Sequence, residues 1–134
     1  MARPKTLIEA LRFAASQPIE LRFQTHPGRV TSYRYPEVLE RARRVAGGLL
    51  QRGVKPGDRV ALILPTAIDF YDAFFGVLFA GAVPSALYPP VRLGLLDEWK
   101  TRTAKMLRRL PASIVLTDKR LLGLVGHPTT AAGV

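Results

Sequence analysis

The chain has 134 residues, no cysteine and a formal net charge of +10. This length suits a single domain that buries about two-thirds of its unfolded-chain surface. The lack of cysteine excludes disulfides, thiolate nucleophiles and thiolate metal sites. The excess of basic residues fits either an anionic partner or an arginine-rich composition, and the scattered placement of the charges favours the second explanation.

The apolar segments are too short or too interrupted to enter a membrane. Residues 73–87 are the most apolar stretch, but they are about five residues short of a bilayer span and include Pro84. The apolar run near the N-terminus is broken by Glu9 and Arg12, so no export signal forms. The sequence therefore predicts no membrane span and favours a cytoplasmic location.

The first elements in chain order are a short helix and a hairpin. Thr6-Leu7-Ile8-Glu9 has the form of a capping box, and the helix that follows should end before Pro18. Alternating apolar and polar residues over 19–24 predict a half-buried strand. His26-Pro27-Gly28 predicts a turn, and residues 30–34 predict the returning strand.

After the hairpin, helices and strands alternate. A long amphipathic helix begins near Pro36 and is capped by Gly53. Continuous apolar runs predict strands buried on both faces at 60–64, 82–87 and 114–116, with a helix between each pair. The fold class is therefore α/β, with a partial, mostly parallel sheet wound by helices and a small antiparallel hairpin near the N-terminus.

Local motifs refine this picture. Lys55-Pro56-Gly57-Asp58 predicts a type II turn before the first buried strand. Thr66-Ala67-Ile68-Asp69 predicts a side-chain cap on the helix after that strand. Glu37 and Arg41 are spaced for an i,i+4 ion pair. The last helix is predicted to end near Val125, which leaves a loose tail.

Three segments carry a resemblance to a known family. Segment 32–39 (SYRYPEVL) resembles the opening helix of adenylate-forming enzymes. Segment 53–62 (GVKPGDRVAL) resembles their turn-and-strand element, and segment 74–84 (FFGVLFAGAVP) resembles the helix and strand that follow. Each motif is weak alone, but their order and gaps together identify the chain, over about residues 7–126, as similar to the start of an adenylate-forming ligase.

A second set of segments points to one branch of that family. These are 87–90 (LYPP), 92–94 (RLG), 96–99 (LDEW) and 102–107 (RTAKML). They resemble fatty-acyl-AMP ligases rather than typical acyl-CoA ligases. Enzymes of that branch pass the acyl adenylate mainly to a carrier protein.

The resemblance implies a reaction that this chain does not complete. A fatty carboxylate would attack the α-phosphate of ATP, and the acyl group of the resulting acyl-AMP would then pass to a thiol. The family's phosphate-binding loop, adenine segment, ribose-binding acid and catalytic lysine have no counterpart in these residues. We therefore expect no catalytic, cofactor-binding or metal-binding residue in this chain. ATP and Mg²⁺ are expected to be bound only by full-length members of the family.

These expectations define domains, function and partners. Residues 1–126 are predicted to be the N-terminal portion of an AMP-binding domain, and residues 127–134 a loose C-terminal tail. The expected function is a truncated or split fatty-acyl-AMP ligase or acyl-CoA synthetase, inactive alone, with a downstream ligase segment or an acyl carrier protein as partner. Two alternatives remain open: a non-catalytic interaction module of the same fold, and a small basic nucleic-acid-binding protein, although the latter lacks interleaved aromatics, a helix-turn-helix and a zinc pattern.

Glycine pairs offer no phosphate cradle. Gly76 and Gly81 are followed by Ala82 and Val83 where a phosphate-binding loop has Lys and Ser or Thr. Helix packing and a helix end explain that pair better. Gly47-Gly48 is interpreted as allowing close approach of a neighbouring element.

Polar candidates also have structural explanations. His26 and His127 are predicted in loops, without a second ligand nearby. Asp69 and Asp72 could form a carboxylate pair, but the position of Asp69 in a first helical turn favours capping. Tyr88 follows a strand at the edge where open parallel sheets bind ligands, and a strand stop is favoured over a pocket wall.

Two helix faces complete the expectations. Trp99 and Met106 are predicted to be core, and the opposite side of their helix is either a solvated face or a surface for an acidic partner; its basic residues are Lys100, Arg102, Lys105, Arg108 and Arg109. A face of the preceding helix is expected to stay uncovered and to promote association; its residues are Phe70, Phe74 and Leu78.

Overall fold

The computed structural model describes residues 2–90 and 93–134. Within them the elements are, in chain order, α1 (Leu7–Ala15), β1 (Glu20–His26), β2 (Arg29–Arg34), α2 (Tyr35–Gln51), β3 (Arg59–Ile63), α3 (Ile68–Phe79), β4 (Val83–Ala86), a 3-10 turn (Leu93–Leu95), α4 (Leu96–Arg109), β5 (Ile114–Thr117) and α5 (Leu122–Ala132). The alternation of helix and strand after the hairpin confirms the predicted α/β class. Arg92, part of the fatty-acyl-type resemblance, lies outside the described residues.

The described strands form two separate sheets. β1 and β2 make the predicted antiparallel hairpin, and the other strands form a parallel sheet in the order β4-β3-β5. Val60 of β3 lies opposite Pro84 of β4 on one side and Ile114 of β5 on the other. Because β3 has a neighbour at each edge, it is the centre of the sheet.

The core surrounds β3 on both faces. Val60, Ala61, Leu62 and Ile63 have no exposed surface. Side chains of a strand alternate between faces, so Val60 and Leu62 share one face, where they pack in the cluster that includes residues of α2 and α3. Ala61 and Ile63 are buried on the other face. The sequence of β3 is a continuous apolar run because both faces of the strand are covered.

β4 corrects one prediction. Residues 82–87 were expected to be a strand buried on both faces, yet β4 covers only Val83–Ala86 and Val83 is 48% exposed. The physical reason is that β4 is an edge strand, so part of each face lacks a neighbour. Pro84 fits such a position because it has no amide to donate.

The packing of α2 on α3 depends on one glycine. A Cβ atom built on Gly76 would lie 2.6 Å from the Cβ of Val45, so the helices approach through this position, as predicted. The prediction for Gly47-Gly48 is wrong. A Cβ on Gly47 would meet nothing within 4 Å, and one on Gly48 would meet only the side chain of Arg52.

The connection between α2 and β3 has the helix cap and the turn that the sequence predicts. Gly53 has φ +86°, and Val54 donates to the carbonyl of Leu49, which closes α2 with a left-handed cap. Gly57 has φ +86°, as a type II turn requires, and Asp58 donates its amide to the carbonyl of Lys55 at 3.0 Å. Both predictions are confirmed.

The predicted caps have different outcomes. The hydroxyl of Thr6 accepts from the Glu9 amide at 3.1 Å, and the Glu9 carboxylate accepts from the Lys5 amide, so α1 begins with side-chain caps. The predicted cap on α3 is wrong. Its N-cap is Ala67, without a side-chain hydrogen bond, since the helix begins one residue after the position that Thr66 would need.

α5 is longer than predicted. The expected loose tail at 127–134 is wrong for most of its length, because α5 continues to Ala132. Val125 and Pro128 are buried, which ties the second half of this helix to the core. Pro128 removes one helical hydrogen bond, and tertiary packing outweighs that cost. The assignment of residues 1–126 as a domain portion stays a prediction.

Two expectations about helix faces are also corrected. Phe70 and Phe74 stack on each other at 6.1 Å and pack against the core cluster, so the face they share with Leu78 is half-buried rather than uncovered. In α4, Met106 is 37% exposed, whereas Leu107 is fully buried. The helical spacing that predicted Trp99 and Met106 in the core also includes Thr103 and Leu107, and these two are the residues that face inward.

Candidate functional site

The clearest candidate site is a cleft at the carboxyl ends of β3 and β5. Its volume is about 240 Å³, and the first turns of α3 form one wall. The polar groups lining it are Asp69, Asp72, Thr117 and Asp118. This is the edge at which open parallel sheets generally bind ligands, so the partners of these side chains decide what the cleft can do.

Asp72 is held by an arginine of the neighbouring helix. Its residue exposure is 7%, and its two carboxylate oxygens accept hydrogen bonds from Nε and Nη2 of Arg41 at 2.8–3.1 Å. Nη2 of Arg41 also lies 3.9 Å from Asp69. The hydrogen bond to Asp72 raises the pKa of Arg41 above its usual value, while burial acts in the opposite direction. The guanidinium therefore stays charged and bridges two carboxylates.

The same arginine connects the hairpin to the helices. Its guanidinium carbon lies 5.8 Å from the centre of the Tyr33 ring, in cation–π geometry. Phe23 in turn contacts both Tyr33, at 6.1 Å, and Tyr71 of α3, at 5.5 Å. Arg41 thus joins β2, α2 and α3, which is a structural role.

Sequence reasoning missed this pair. Arg41 was expected to pair with Glu37, and Asp72 was treated only as a neighbour of Asp69. A signal was present, because Asp72 lies on the same helix face as Gly76, which faces α2. A carboxylate on a buried face needs a cationic partner, and the nearest long helix supplies one.

The strand-end residues of β5 are also engaged. The hydroxyl of Thr117 donates to the carbonyl of Ile63 at 2.8 Å. One oxygen of Asp118 accepts from the Leu121 amide at 2.8 Å, and the other accepts from Arg120 at 3.3 Å. Asp118 therefore shapes the turn into α5.

This cleft does not suit ATP. Its lining carboxylates would repel a triphosphate, and about 240 Å³ is below the ~300–1,000 Å³ typical of small-molecule sites. Within residues 2–90 and 93–134, no three His, Asp or Glu side chains are grouped in a way that could hold a metal ion. The buried side-chain polar atoms of this part of the chain all have hydrogen-bond partners.

The remaining sequence candidates are dispersed. The prediction that both histidines lie in loops is wrong. His26 is the last residue of β1, because it pairs opposite Arg29 across a tight Pro27-Gly28 turn. His127 lies within α5. Tyr88 follows β4 and is 80% exposed, and its carbonyl accepts from the indole of Trp99 at 2.8 Å.

The basic side of α4 remains free of ion pairs. In the part of the chain that the structure describes, no salt bridge involves the α4 cations, although Arg108 donates to the carbonyl of Ala131 at 3.2 Å. A solvated face and a face for an acidic partner both fit this arrangement. In the same described part, no helix combines the length and hydropathy needed to cross a membrane.

A parallel sheet wound by helices, with polar residues at its carboxyl edge, defines an α/β fold. The chain matches the model of the AMP-binding enzyme family over residues 11–131. It therefore belongs to the AMP-binding, adenylate-forming enzyme family.

Individual relatives agree with this assignment. A solved structure from a study of fatty acyl-adenylate ligases from E. coli and L. pneumophila has a TM-score of 0.88 and 32% identity, covering 93% of this chain and 23% of that one. Fatty acid AMP ligase from Legionella pneumophila has a TM-score of 0.72 and 25% identity, covering 90% and 21%. Disco-interacting protein 2 homolog A from Homo sapiens is 36% identical over 97 residues, which are 71% of this chain and 6% of that protein.

The chain spans less than a quarter of the length of each of these proteins. The first curated relative, Disco-interacting protein 2 of Drosophila melanogaster, is covered over only 3% of its length. The shared region is therefore a small part of each of those proteins.

Proposed function

We propose that these 134 residues form the first αβ layer of a fatty-acyl-AMP ligase, and that they do not adenylate a substrate by themselves. The observation that carries the proposal is the likeness to fatty acyl-adenylate ligases at 32% identity with a TM-score of 0.88. The polar groups of the carboxyl-edge cleft support the second part, because Asp72 is held by Arg41, Thr117 by the Ile63 carbonyl and Asp118 by the Leu121 amide.

The reaction proposed for the complete assembly has two steps. A fatty acid carboxylate attacks the α-phosphate of ATP, which gives the acyl adenylate and releases pyrophosphate. The acyl group then passes to a thiol with release of AMP, and an acyl carrier protein is the proposed acceptor. ATP and Mg²⁺ are proposed to bind polypeptide outside the described residues, because the carboxylates that line the cleft would repel a triphosphate. The proposed location is cytoplasmic.

The assay for this proposal is ATP–pyrophosphate exchange with the purified 134-residue chain and fatty acids of several lengths. Exchange is expected to equal the no-enzyme blank, because the residues that the structure describes offer no cradle for the triphosphate. Fatty-acid-dependent exchange clearly above the blank would contradict the proposal. A preparation that is free of other lysate proteins, and a second one purified through a different tag, control for contaminating ligases.

The charge of the chain supplies a separate prediction. The net charge is +10, but the sequence has no helix-turn-helix or zinc pattern, so binding to DNA should be weak and lost by about 150 mM salt. A gel shift with two unrelated duplexes, measured across a salt series, checks this expectation. Tight binding that distinguishes the two sequences at that salt concentration would support the nucleic-acid alternative instead.

A further inference from the structure

The fold places most of the acidic residues at one end of the parallel sheet. Each of α2, α3 and α4 leads into a parallel strand, so the helices run against the strands, with their first turns at the carboxyl edge of the sheet and their last turns at the opposite, amino edge. Of the ten acidic residues, two lie in the first half of each of these helices, and Asp118 directly follows β5. Asp58 lies at the amino edge, and Glu9 and Glu20 belong to α1 and the hairpin. Negative charge is therefore concentrated at the carboxyl edge.

Four exposed cations lie at the amino edge. Arg52 follows α2, Lys55 lies in the turn after it, Arg59 begins β3 and Arg109 ends α4. Within residues 2–90 and 93–134, none of these four side chains belongs to an ion pair. The carboxylate of Asp58 instead accepts a hydrogen bond from the main-chain amide of Lys55 at 2.8 Å. The fold therefore gathers at one end cations that are scattered along the sequence.

Helix ends account for only part of this charge. A cation in the last turn of a helix stabilises the negative end of its dipole, which explains Arg109. Arg52 has the same explanation, since it follows α2 and donates to the carbonyl of Gly48 at 3.4 Å. Lys55 and Arg59 belong to a turn and a strand, where no helix dipole favours a cation. Their charges point to an external anionic partner.

The amino edge is continuous and level. Gly57 donates to the carbonyl of Gly81 at 2.9 Å, which joins the turn before β3 to the turn before β4. Arg59 lies opposite Val83 of β4, and the next residue of β3 lies opposite Ile114 of β5. The three strands thus begin within one residue, about 3.3 Å, of one another. A level end of a sheet suits a flat partner better than a peptide that must lie in a groove.

Exposed apolar side chains lie at the same edge. Leu50, in the last turn of α2, is 52% exposed, and Val83, the first residue of β4, is 48% exposed. A surface that combines cations with exposed apolar side chains is typical of proteins that bind the interface of a membrane. Six residues define this amino-edge surface: Leu50, Arg52, Lys55, Arg59, Val83 and Arg109.

We propose that the amino-edge surface binds the headgroups of anionic phospholipids at the surface of a membrane, without any segment crossing it. The cations contact the lipid phosphates, and Leu50 and Val83 reach the boundary with the acyl chains. The carboxyl edge, with its acidic cleft, faces away from the lipid because like charges repel. This inference goes beyond the proposed function and concerns the opposite end of the sheet.

Other anionic partners fit these observations less well. A nucleic acid presents phosphates but no hydrocarbon for Leu50 and Val83, whereas a bilayer presents both. An acidic peptide binds in a groove or along the side of a strand. The amino edge offers the ends of strands, so it lacks the features that such a peptide needs.

Vesicle sedimentation with the 134-residue chain tests the proposal. One set of vesicles contains equal parts of phosphatidylglycerol and phosphatidylcholine, and the other contains phosphatidylcholine alone. At about 150 mM salt the chain is expected to sediment with the first set and to stay in solution with the second, because the attraction depends on anionic headgroups. Sedimentation with neither set, or equal sedimentation with both, would overturn the proposal.

Charge-matched variants locate the binding surface. The test variant carries three substitutions at the amino edge: Arg52→Gln, Lys55→Gln and Arg59→Gln. The control variant loses three exposed cations from the hairpin, the first half of α4 and the segment after β5: Arg29→Gln, Arg102→Gln and Lys119→Gln. Each cation near an anionic surface strengthens binding about fivefold, so the test variant should bind about a hundredfold more weakly and the control within about fivefold of the parent. Equal losses in the two variants would show an effect of net charge alone and contradict the proposal.

Tryptophan fluorescence reports the orientation of the bound chain. Trp99 is the single tryptophan and lies in the first turn of α4, at the carboxyl edge. The variant Leu50→Trp adds a second tryptophan in the amino-edge surface. Phospholipids that carry bromine on their acyl chains are expected to quench the added tryptophan of L50W and to leave Trp99 of the parent unquenched. Quenching of Trp99 in the parent would mean that the carboxyl edge meets the membrane, against the proposal.

A nucleic acid is the competing partner. Displacement of the chain from the anionic vesicles by duplex DNA at an equal phosphate concentration would show a general phosphate-binding surface and overturn the choice of lipid. These measurements involve no nucleotide and no fatty acid, so their failure leaves the adenylation proposal intact. Conversely, pyrophosphate exchange by the 134-residue chain alone would overturn the proposed function without altering the result with vesicles.

Discussion

Replacing Arg41 with methionine is expected to reduce the free energy of unfolding by about 2–3 kcal/mol. Methionine keeps the aliphatic stem but leaves the carboxylate of Asp72, whose side chain is 10% exposed, without its partner. Removing one member of a fully buried pair costs about 3–5 kcal/mol, and the expected loss is smaller because the side chain of Arg41 is 35% exposed. Urea unfolding followed by circular dichroism measures the change.

The neighbouring Arg44 is the matched control for this variant. It lies on the same helix and pairs with Glu40 at 3.6 Å, but both side chains are more than half exposed. Arg44→Met should therefore cost less than about 0.5 kcal/mol. The double variant Arg41→Met with Asp72→Leu should recover part of the loss, since no buried charge remains. Equal effects of R41M and R44M would show that the Arg41–Asp72 pair has no special role.

Replacing Gly76 with alanine is expected to cost about 2–3 kcal/mol, near the upper end of overpacking effects. The added Cβ would lie 2.6 Å from Cβ and Cγ1 of Val45 and 3.0 Å from the carbonyl oxygen of Ala42. The side chain of Val45 branches at the clashing atom, so rotation cannot remove the contact, and α2 must shift from α3. Thermal and urea unfolding of the two proteins give the difference.

Replacing Gly47, on the facing helix α2, with alanine is expected to have the opposite effect on stability. A Cβ there meets nothing within 4 Å, so Gly47→Ala should stabilise the chain by about 0.5–1 kcal/mol through helix propensity alone. Combining Gly76→Ala with Val45→Ala should restore only part of the lost stability, because Cγ1 of Val45 is removed while its Cβ remains. A neutral Gly76→Ala variant would mean that α2 and α3 do not approach as closely as described.

Patterns along the chain were sufficient for the architecture. The apolar run at 60–64 predicted a strand covered on both faces, and β3 is that strand. The glycines at 53 and 57 predicted turns that need positive φ, and both have it. These features depend on residues close together in sequence, where local sterics and periodicity decide the outcome.

Features that depend on tertiary packing were not predicted. The order β4-β3-β5, which exposes half of Val83, follows from pairing between distant strands. The extension of α5 through Pro128 follows from burial against the core, which helical propensity opposes. The partner of Asp72 lies 31 residues away, on another helix. Each of these needed knowledge of which elements are neighbours.

A chimeric ligase tests the central claim most directly. Residues 7–131 of this chain replace the matched quarter of the fatty acyl-adenylate ligase whose structure has a TM-score of 0.88 with it. ATP–pyrophosphate exchange with a fatty acid is measured for the chimera, the parent ligase and a chimera that carries R41M and G76A. If the chain is the first layer of such a ligase, the chimera should fold, retain exchange within about tenfold of the parent, and lose stability in the double variant. A folded, soluble chimera without exchange would contradict the assignment of this chain to a fatty-acyl-AMP ligase.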